Sequence, residues 1–220
     1  MKVRKNIGAI NYFDRKIEVF DKIYHENRSG FSAWLDRTFR ASVKKRYNLA
    51  FEILGDLTGK AVLDIGCGTG RYMFEALRHN AAEVLGIDAA PGAIESAKKL
   101  ALDEGFAGKA GFETIEFLDF RADRKYDVIF AVGYFDYILD PLTHLTKMMA
   151  ISDGSLYASF PKRWHFMTPV RKTRLSLFNN CPVRFYSLNG IRQLTIAAGC
   201  KNFDIRSVDR DFILIADTKR

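Results

Sequence analysis

The sequence predicts an α/β fold, a largely parallel sheet with helices on both faces, and three observations carry that expectation. Short apolar runs of strand length alternate with segments of helical period along most of the chain. One of them, Val62-Leu63-Asp64-Ile65, runs straight into the glycine-rich turn Gly66-Cys67-Gly68-Thr69-Gly70. Another, Tyr126 to Val132, is apolar almost throughout after Asp127, as a strand buried on both faces of a parallel sheet must be.

The chain has 220 residues, 48% of them hydrophobic, which suits one α/β domain with appendages. Met1 to Asn6 is polar and lacks the apolar run of a signal peptide, and no stretch has the length and apolarity of a membrane span, so a cytoplasmic protein is expected. Phe13, Ile17, Phe20 and Tyr24 recur at helical spacing. After Gly30 a longer amphipathic stripe follows, through Trp34, Leu35, Thr38, Phe39, Val43, Tyr47, Ala50, Phe51 and Leu54. Arg37, Arg40 and Lys44 fall on its opposite face.

The glycine turn links the first strand to a helix, and its glycines let a ligand approach the backbone closely. A dinucleotide fingerprint runs G-x-G-x-x-G; here the third glycine arrives one residue early, at Gly70, which disfavours a pyrophosphate reader. Glu83 to Asp88 reads as the second strand, and Asp88 stands 18 residues after Gly70. A carboxylate there can take both ribose hydroxyls or cap the helix opened by Pro91. Thr114 to Leu118 is the third expected strand, ending at Asp119-Phe120, and Tyr126 to Val132 is the fourth, expected beside the first. A helix over Leu142 to Ala150 and a fifth strand over Ser155 to Phe160 come next. Leu188 to Ala198 is a helix stopped by Gly199, and Phe203 to Val208 with Phe212 to Ala216 form a final strand pair around Asp209-Arg210-Asp211.

Asp64 with the compact G-x-G-x-G resembles motif I of the class I S-adenosylmethionine (SAM) dependent methyltransferases. The segment Gly133-Tyr134-Phe135-Asp136-Tyr137-Ile138-Leu139-Asp140-Pro141 is similar to that family's post-strand-four motif, in which an acid-His pair commonly precedes Asp-Pro. Here the acid is Asp136, and Tyr137 stands where the His is usual. The resemblance covers about Lys60 to Pro141. It implies a Rossmann-like seven-stranded mixed sheet with the last strand pair as its antiparallel edge, an N-terminal helical cap over 1–55, and a SAM-binding domain over 56–220. It also implies SAM as cofactor, with S-adenosyl-L-homocysteine (SAH) as product. The methionine end would lie over Asp64, Gly66, Cys67, Gly68 and Gly70, the ribose on Asp88 beside Ala89, and the adenine near Asp119 and the Phe120 N–H, with Val132 completing the set. An ordinary loop aspartate is the alternative reading of Asp119.

Charge is partitioned along the chain. Residues 1–50 carry 12 Lys/Arg against 5 Asp/Glu, residues 51–150 carry 10 against 16, and residues 151–220 carry 12 against 5. An acidic cofactor half between basic flanks implies an anionic acceptor, since the flanks supply the substrate side in this architecture. The long connection after strand five, about 161–186, interleaves basic and aromatic residues and reads as a substrate lid. Arg163, Arg171, Arg174, Arg184 and Tyr186 are its substrate-binding candidates, because guanidinium groups grip carboxylate or phosphate bidentately. His165 and His144, with Asp136 and Tyr137 behind them, are the candidates for a catalytic base, His144 on a helix expected to face solvent. Cys67, Cys181 and Cys200 lack paired or C-x-x-C spacing, so reduced thiols and no metal site are expected.

The expected activity is methyl transfer to an anionic small molecule, on oxygen, as in the tetrapyrrole and quinone-pathway O-methyltransferases that the chain locally resembles. Two alternatives come from other classes. A pI near 9.4 with interleaved aromatics fits an RNA methyltransferase, although the Asn/Asp-Pro-Pro-Tyr/Phe signature of base-amino methylation is absent after strand four. Tyr137 in place of the usual His fits a SAM-binding subunit without turnover.

Overall fold

The computed structural model of the protein describes residues 31–163 and 184–219, with side chains from residue 42 onward. The stripe through Phe13, Ile17, Phe20 and Tyr24, Cys181 and most of the 161–186 connection lie outside these residues.

The elements run α1 (Phe31–Leu54), β1 (Ala61–Ile65), α2 (Arg71–Arg78), β2 (Glu83–Asp88), α3 (Pro91–Asp103), β3 (Ala110–Thr114), β4 (Tyr126–Ala131), α4 (Pro141–Ile151), β5 (Ser152–Pro161), α5 (Leu188–Ala197), β6 (Asn202–Val208) and β7 (Asp211–Asp217). The strands form one seven-stranded mixed sheet in the order β3-β2-β1-β4-β5-β7-β6. Strands β1 to β5 are mutually parallel, and β7 enters antiparallel between β5 and β6. The expected neighbour relation of β1 and β4 and the antiparallel edge are both present.

Burial explains the layering. All five residues of β1 are buried, as the central strand of a doubly covered sheet requires. One apolar cluster packs α1, α2 and α3 against one face through Phe51, Met73, Phe74, Leu77 and Ile94. A second packs α4 and α5 against the other through Leu145, Met148 and Ile191. The C-terminal half of α1 is fixed by polar contacts as well. Arg46 Nη1 donates to Asp211 Oδ2 at 2.8 Å, and the Tyr157 hydroxyl donates to the Arg46 carbonyl at 2.7 Å.

One strand lies elsewhere than expected. β3 is Ala110–Thr114, sharing only Thr114 with the expected Thr114 to Leu118. As an edge strand it needs no unbroken apolar run, and all five of its residues are half-buried or exposed. The more apolar residues that follow instead form a turn that drops Phe117 into the core at 2% exposure. β5 also starts earlier than expected, at Ser152, which pairs with Tyr126 of β4; Gly154 then lies so close to the Asp127 carbonyl that no Cβ would fit.

Candidate functional site

The parallel register sets Asp64 opposite Gly86 on β2 and Phe130 on β4, so the carboxyl ends of β1, β2 and β4 open on the same edge of the sheet. In open α/β sheets that edge is where ligands bind. The turn leaving β1 is left-handed at Gly66 (φ 70°) and again at Gly70 (φ 83°), just before α2. A Cβ at Gly66 would stand 2.9 Å from Tyr134 Cδ2, and one at Gly70 would stand 2.9 Å from the Phe74 ring. Both the conformation and the close packing therefore demand glycine.

Four of the five amides of this turn are spent inside the protein. Gly66 and Cys67 donate to the Ile87 carbonyl at 2.8 and 3.1 Å, Gly68 to Asp88 Oδ2 at 3.0 Å, and Gly70 to the Cys67 carbonyl at 2.9 Å. A phosphate needs such amides free and a positive surround. Here two carboxylates stand beside the turn instead. Asp64 is 3% exposed, and burial first, then the charge of Asp88, pushes its carboxyl up to about 8. Burial likewise raises Asp88, against the amides of Ala90, Gly68 and Ala89 that favour its charged form. A pair of acids repelling each other in a poorly solvated site suits a ligand that brings positive charge and hydroxyl donors.

Asp88, at the tip of β2, holds Gly68 with one oxygen and the Ala90 amide with the other, at 2.9 Å. The contact to Ala90 fixes the chain just ahead of α3 but is not a cap of that helix, whose N-cap is Ala90 with no side-chain cap hydrogen bond. Ala89 is half-buried beside it. Cys67 is buried, and burial pushes its thiol up, so it behaves as a small filler between the turn and β2. Asp119 is exposed and Phe120 buried, five and six residues past the end of β3. Both of their amides donate to the Glu116 carbonyl, at 2.9 and 3.0 Å. The carbonyls of Phe117, Leu118 and Phe120 all accept from Lys147 Nζ of α4, at 2.6, 3.0 and 2.6 Å. Lys147 also helps line an open cavity of about 440 Å³ with Leu118, Asp119, Phe120, Arg121 and Ala122.

After β4, Val132 is half-buried and Gly133 turns with φ 75°, its amide on Ser159 Oγ at 2.7 Å. Tyr134 then lies against the glycine turn, and its hydroxyl meets His144 Nδ1 at 2.7 Å. His144 does not face solvent as expected. It is 5% exposed on the face of α4 that also buries Leu145 and Met148, and burial lowers its pKa to about 4. Asp136 is buried and its carbonyl accepts the Arg184 amide at 2.8 Å; Tyr137 is half-buried, with its amide on the Tyr134 carbonyl at 3.3 Å.

The ends of the long connection are stitched together at this same edge. Tyr186 donates its amide to the Pro161 carbonyl at 2.8 Å, and Arg163 donates its amide to the Tyr186 carbonyl at 2.9 Å. Arg163 and Arg184 are exposed there. Tyr186 is not: at 8% exposure it packs edge-on to Phe160 and donates its hydroxyl to the Phe135 carbonyl at 3.0 Å. His165, Arg171 and Arg174 lie outside the described residues. Tyr134, Lys147 and Ser159 are the site residues that sequence reasoning missed. Tyr134 had a local signal, its place straight after the glycine that turns the chain beyond β4, whereas Lys147 and Ser159 act through contacts distant in sequence.

Comparison with known proteins agrees with this geometry. Residues 56–158 match a family model described as a methyltransferase domain. The tRNA U34 carboxymethyltransferase of Marinobacter nauticus is 30% identical over 121 residues, 54% of this chain and 35% of that protein. The ubiquinone biosynthesis O-methyltransferase of Salmonella paratyphi A is 31% identical over 107 residues, 48% of this chain and 44% of that one. The matched region thus spans less than half the length of these curated relatives. Among solved structures, the magnesium protoporphyrin IX methyltransferase of Synechocystis PCC 6803 with bound SAH superposes with a TM-score of 0.77 at 18% identity, covering 97% of this chain and 99% of that one. The glycine turn with its acid at Asp64 thus lies in a stretch, residues 56–158, that matches a methyltransferase domain, and the seven-stranded sheet around it is the fold of the solved methyltransferases.

Proposed function

We propose that the protein binds SAM at the carboxyl ends of β1, β2 and β4 and transfers its methyl group to an oxygen of an anionic small molecule. The observation that carries the cofactor assignment is the pair of buried or half-buried acids, Asp64 and Asp88, around a turn whose amides at Gly66, Cys67 and Gly68 are already occupied. SAM supplies what that site lacks, a cationic sulfonium and ammonium group and two ribose hydroxyls. Its methionine end lies along Asp64, Gly66, Cys67, Gly68 and Gly70, its ribose on Asp88 beside Ala89, and its adenine toward Asp119 and Phe120, with Val132 at the exit of β4.

The reaction is a direct displacement. The acceptor oxygen forms a bond to the methyl carbon as the carbon–sulfur bond breaks, its electron pair stays on sulfur as neutral thioether, and the acceptor gives up its proton. Because the leaving group is already cationic, alignment is the larger contribution, and a base adds about 10²- to 10⁴-fold. Among the base candidates, Asp136 and Tyr137 lie on the segment that Arg184 joins, while His165 belongs to the connection itself.

The acceptor assignment draws on the charge partition, with 12 Lys/Arg against 5 Asp/Glu in residues 151–220, and on the exposure of Arg163 and Arg184 beside the post-β4 segment. In this reading residues 1–55 cap the site and 161–186 cover the acceptor, Arg171 and Arg174 joining the two exposed arginines. The Synechocystis neighbour, named for a porphyrin substrate, fits an anionic acceptor. RNA is the second reading, favoured by the pI of 9.4 and by the tRNA-modifying relative.

The test is transfer from methyl-labelled SAM to a panel of aromatic and tetrapyrrole carboxylic acids and phenols, beside bulk tRNA. Arg184→Ala should raise the acceptor KM and leave SAM affinity unchanged. Label entering tRNA with a steep loss of binding between low and physiological salt would overturn the small-molecule reading. SAM binding without transfer to any acceptor would favour a non-catalytic subunit.

A further inference from the structure

Helix α4 contacts both the tyrosine that packs on the glycine turn and the turn that follows β3. His144 and Lys147 stand three residues apart and so share one side of the helix. His144 Nδ1 meets the Tyr134 hydroxyl at 2.7 Å, and Tyr134 in turn packs on Gly66 of the glycine turn. Lys147 Nζ gathers the carbonyls of Phe117, Leu118 and Phe120, which turn the chain after β3 on either side of Asp119. Phe117 closes the gap between the two contacts. Its ring is edge-on to Tyr134 at 6.2 Å and 6.0 Å from the His144 ring, and Lys147 Nζ sits 4.9 Å from its centroid. One continuous set of contacts therefore runs from the turn at β1 to the turn after β3.

Three carbonyls converging on one ammonium is a costly arrangement to lose. Without the lysine the three carbonyls would point at one another, half-buried, and lose the charged donor they share. Nothing of this kind is needed merely to seat α4 on the sheet, which Leu145 and Met148 already do. We propose that His144 and Lys147 are positioning residues, holding Tyr134 and the Phe117–Phe120 turn as two walls of the cofactor cleft, and that neither acts on the acceptor. The proposal rests on the SAM-site reading above. It assigns His144 a role through Tyr134 rather than as a base, in keeping with its burial and its inward contact.

The experiment is calorimetric titration of the purified protein with SAH, repeated for Lys147→Met, Lys147→Arg, His144→Phe, Tyr134→Phe and the Tyr134→Phe/His144→Phe pair, each with its melting temperature. Lys147→Met should weaken SAH about 10-fold, about 1.4 kcal/mol, and Lys147→Arg should recover part of that loss because it keeps donors for the carbonyls. Tyr134→Phe and His144→Phe should each weaken SAH, and the double variant should be no worse than the weaker single, since both remove the same contact. Parental SAH affinity in Lys147→Met and Tyr134→Phe would overturn the proposal and leave the SAM site intact. Weakening that tracks the melting temperature across all variants, with no recovery in Lys147→Arg, would reduce both residues to fold support and overturn it too. A parent protein that does not bind SAH would instead remove the reading on which the proposal stands.

Discussion

The Gly68 amide donates to the Asp88 carboxylate at 3.0 Å, so the tip of β2 holds the glycine turn of β1 in place while its other oxygen takes the Ala90 amide. Asp88 is therefore both a ribose candidate and a local staple, and a substitution must separate the two. Asp88→Ala should weaken SAH by about 1–3 kcal/mol and lower the melting temperature as well. Asp88→Asn keeps one carbonyl oxygen for an amide, so it should recover more stability than affinity. Calorimetry and thermal melts on both variants make the comparison, and equal recovery of the two quantities would refute a ribose role.

Asp64 should make the ligand-free protein less stable as pH rises. Its carboxyl is pushed from an ordinary 3.8 up to about 8 by burial and by Asp88, so between those values the native state keeps a proton that the unfolded chain has released. Stability then falls as pH rises through that window, the reverse of an ion-paired carboxylate. Asp64→Asn removes the titration. Its melting temperature should exceed the parent's at pH 8, with the gap shrinking toward pH 5; a constant gap would contradict the assignment.

Arg46 and Asp211 form a buried pair at 2.8 Å that pins α1 to the β6–β7 hairpin. Arg46→Ala strands the Asp211 carboxylate, with Arg210 Nε 3.8 Å away as a weaker partner. A loss of about 3 kcal/mol is expected in chemical denaturation. Arg46→Met with Asp211→Leu, which leaves no charge behind, should restore most of it.

The central strands were legible because burial on both faces writes itself into sequence as an apolar run, unbroken in Val128 to Ala131 and interrupted only by Asp64 in Val62 to Ile65. β3 was not, because an edge strand needs only partial burial, and the apolar residues just after it belong to a turn. The placement of Asp64, Gly66, Gly68, Gly70 and Asp88 at the turn and at the strand tip was legible for a related reason: it follows from local conformation and from position at a strand end. His144 was misjudged because the hydroxyl that satisfies it in the interior comes from Tyr134, ten residues away on another segment. Lys147 carries no signal at all, since its three acceptors are backbone carbonyls about 30 residues distant, which any sequence would supply.

The central claim is that the acids Asp64 and Asp88 and the glycine turn make a site for a cationic nucleoside and not for a dinucleotide. Titration of the protein with SAM, SAH and NAD by calorimetry tests it most directly. One-to-one binding of SAM and SAH, lost by about 10-fold or more in Asp88→Ala, with no heat from NAD, is the result expected. Tight binding of NAD, or SAM affinity unchanged in Asp88→Ala, would contradict it.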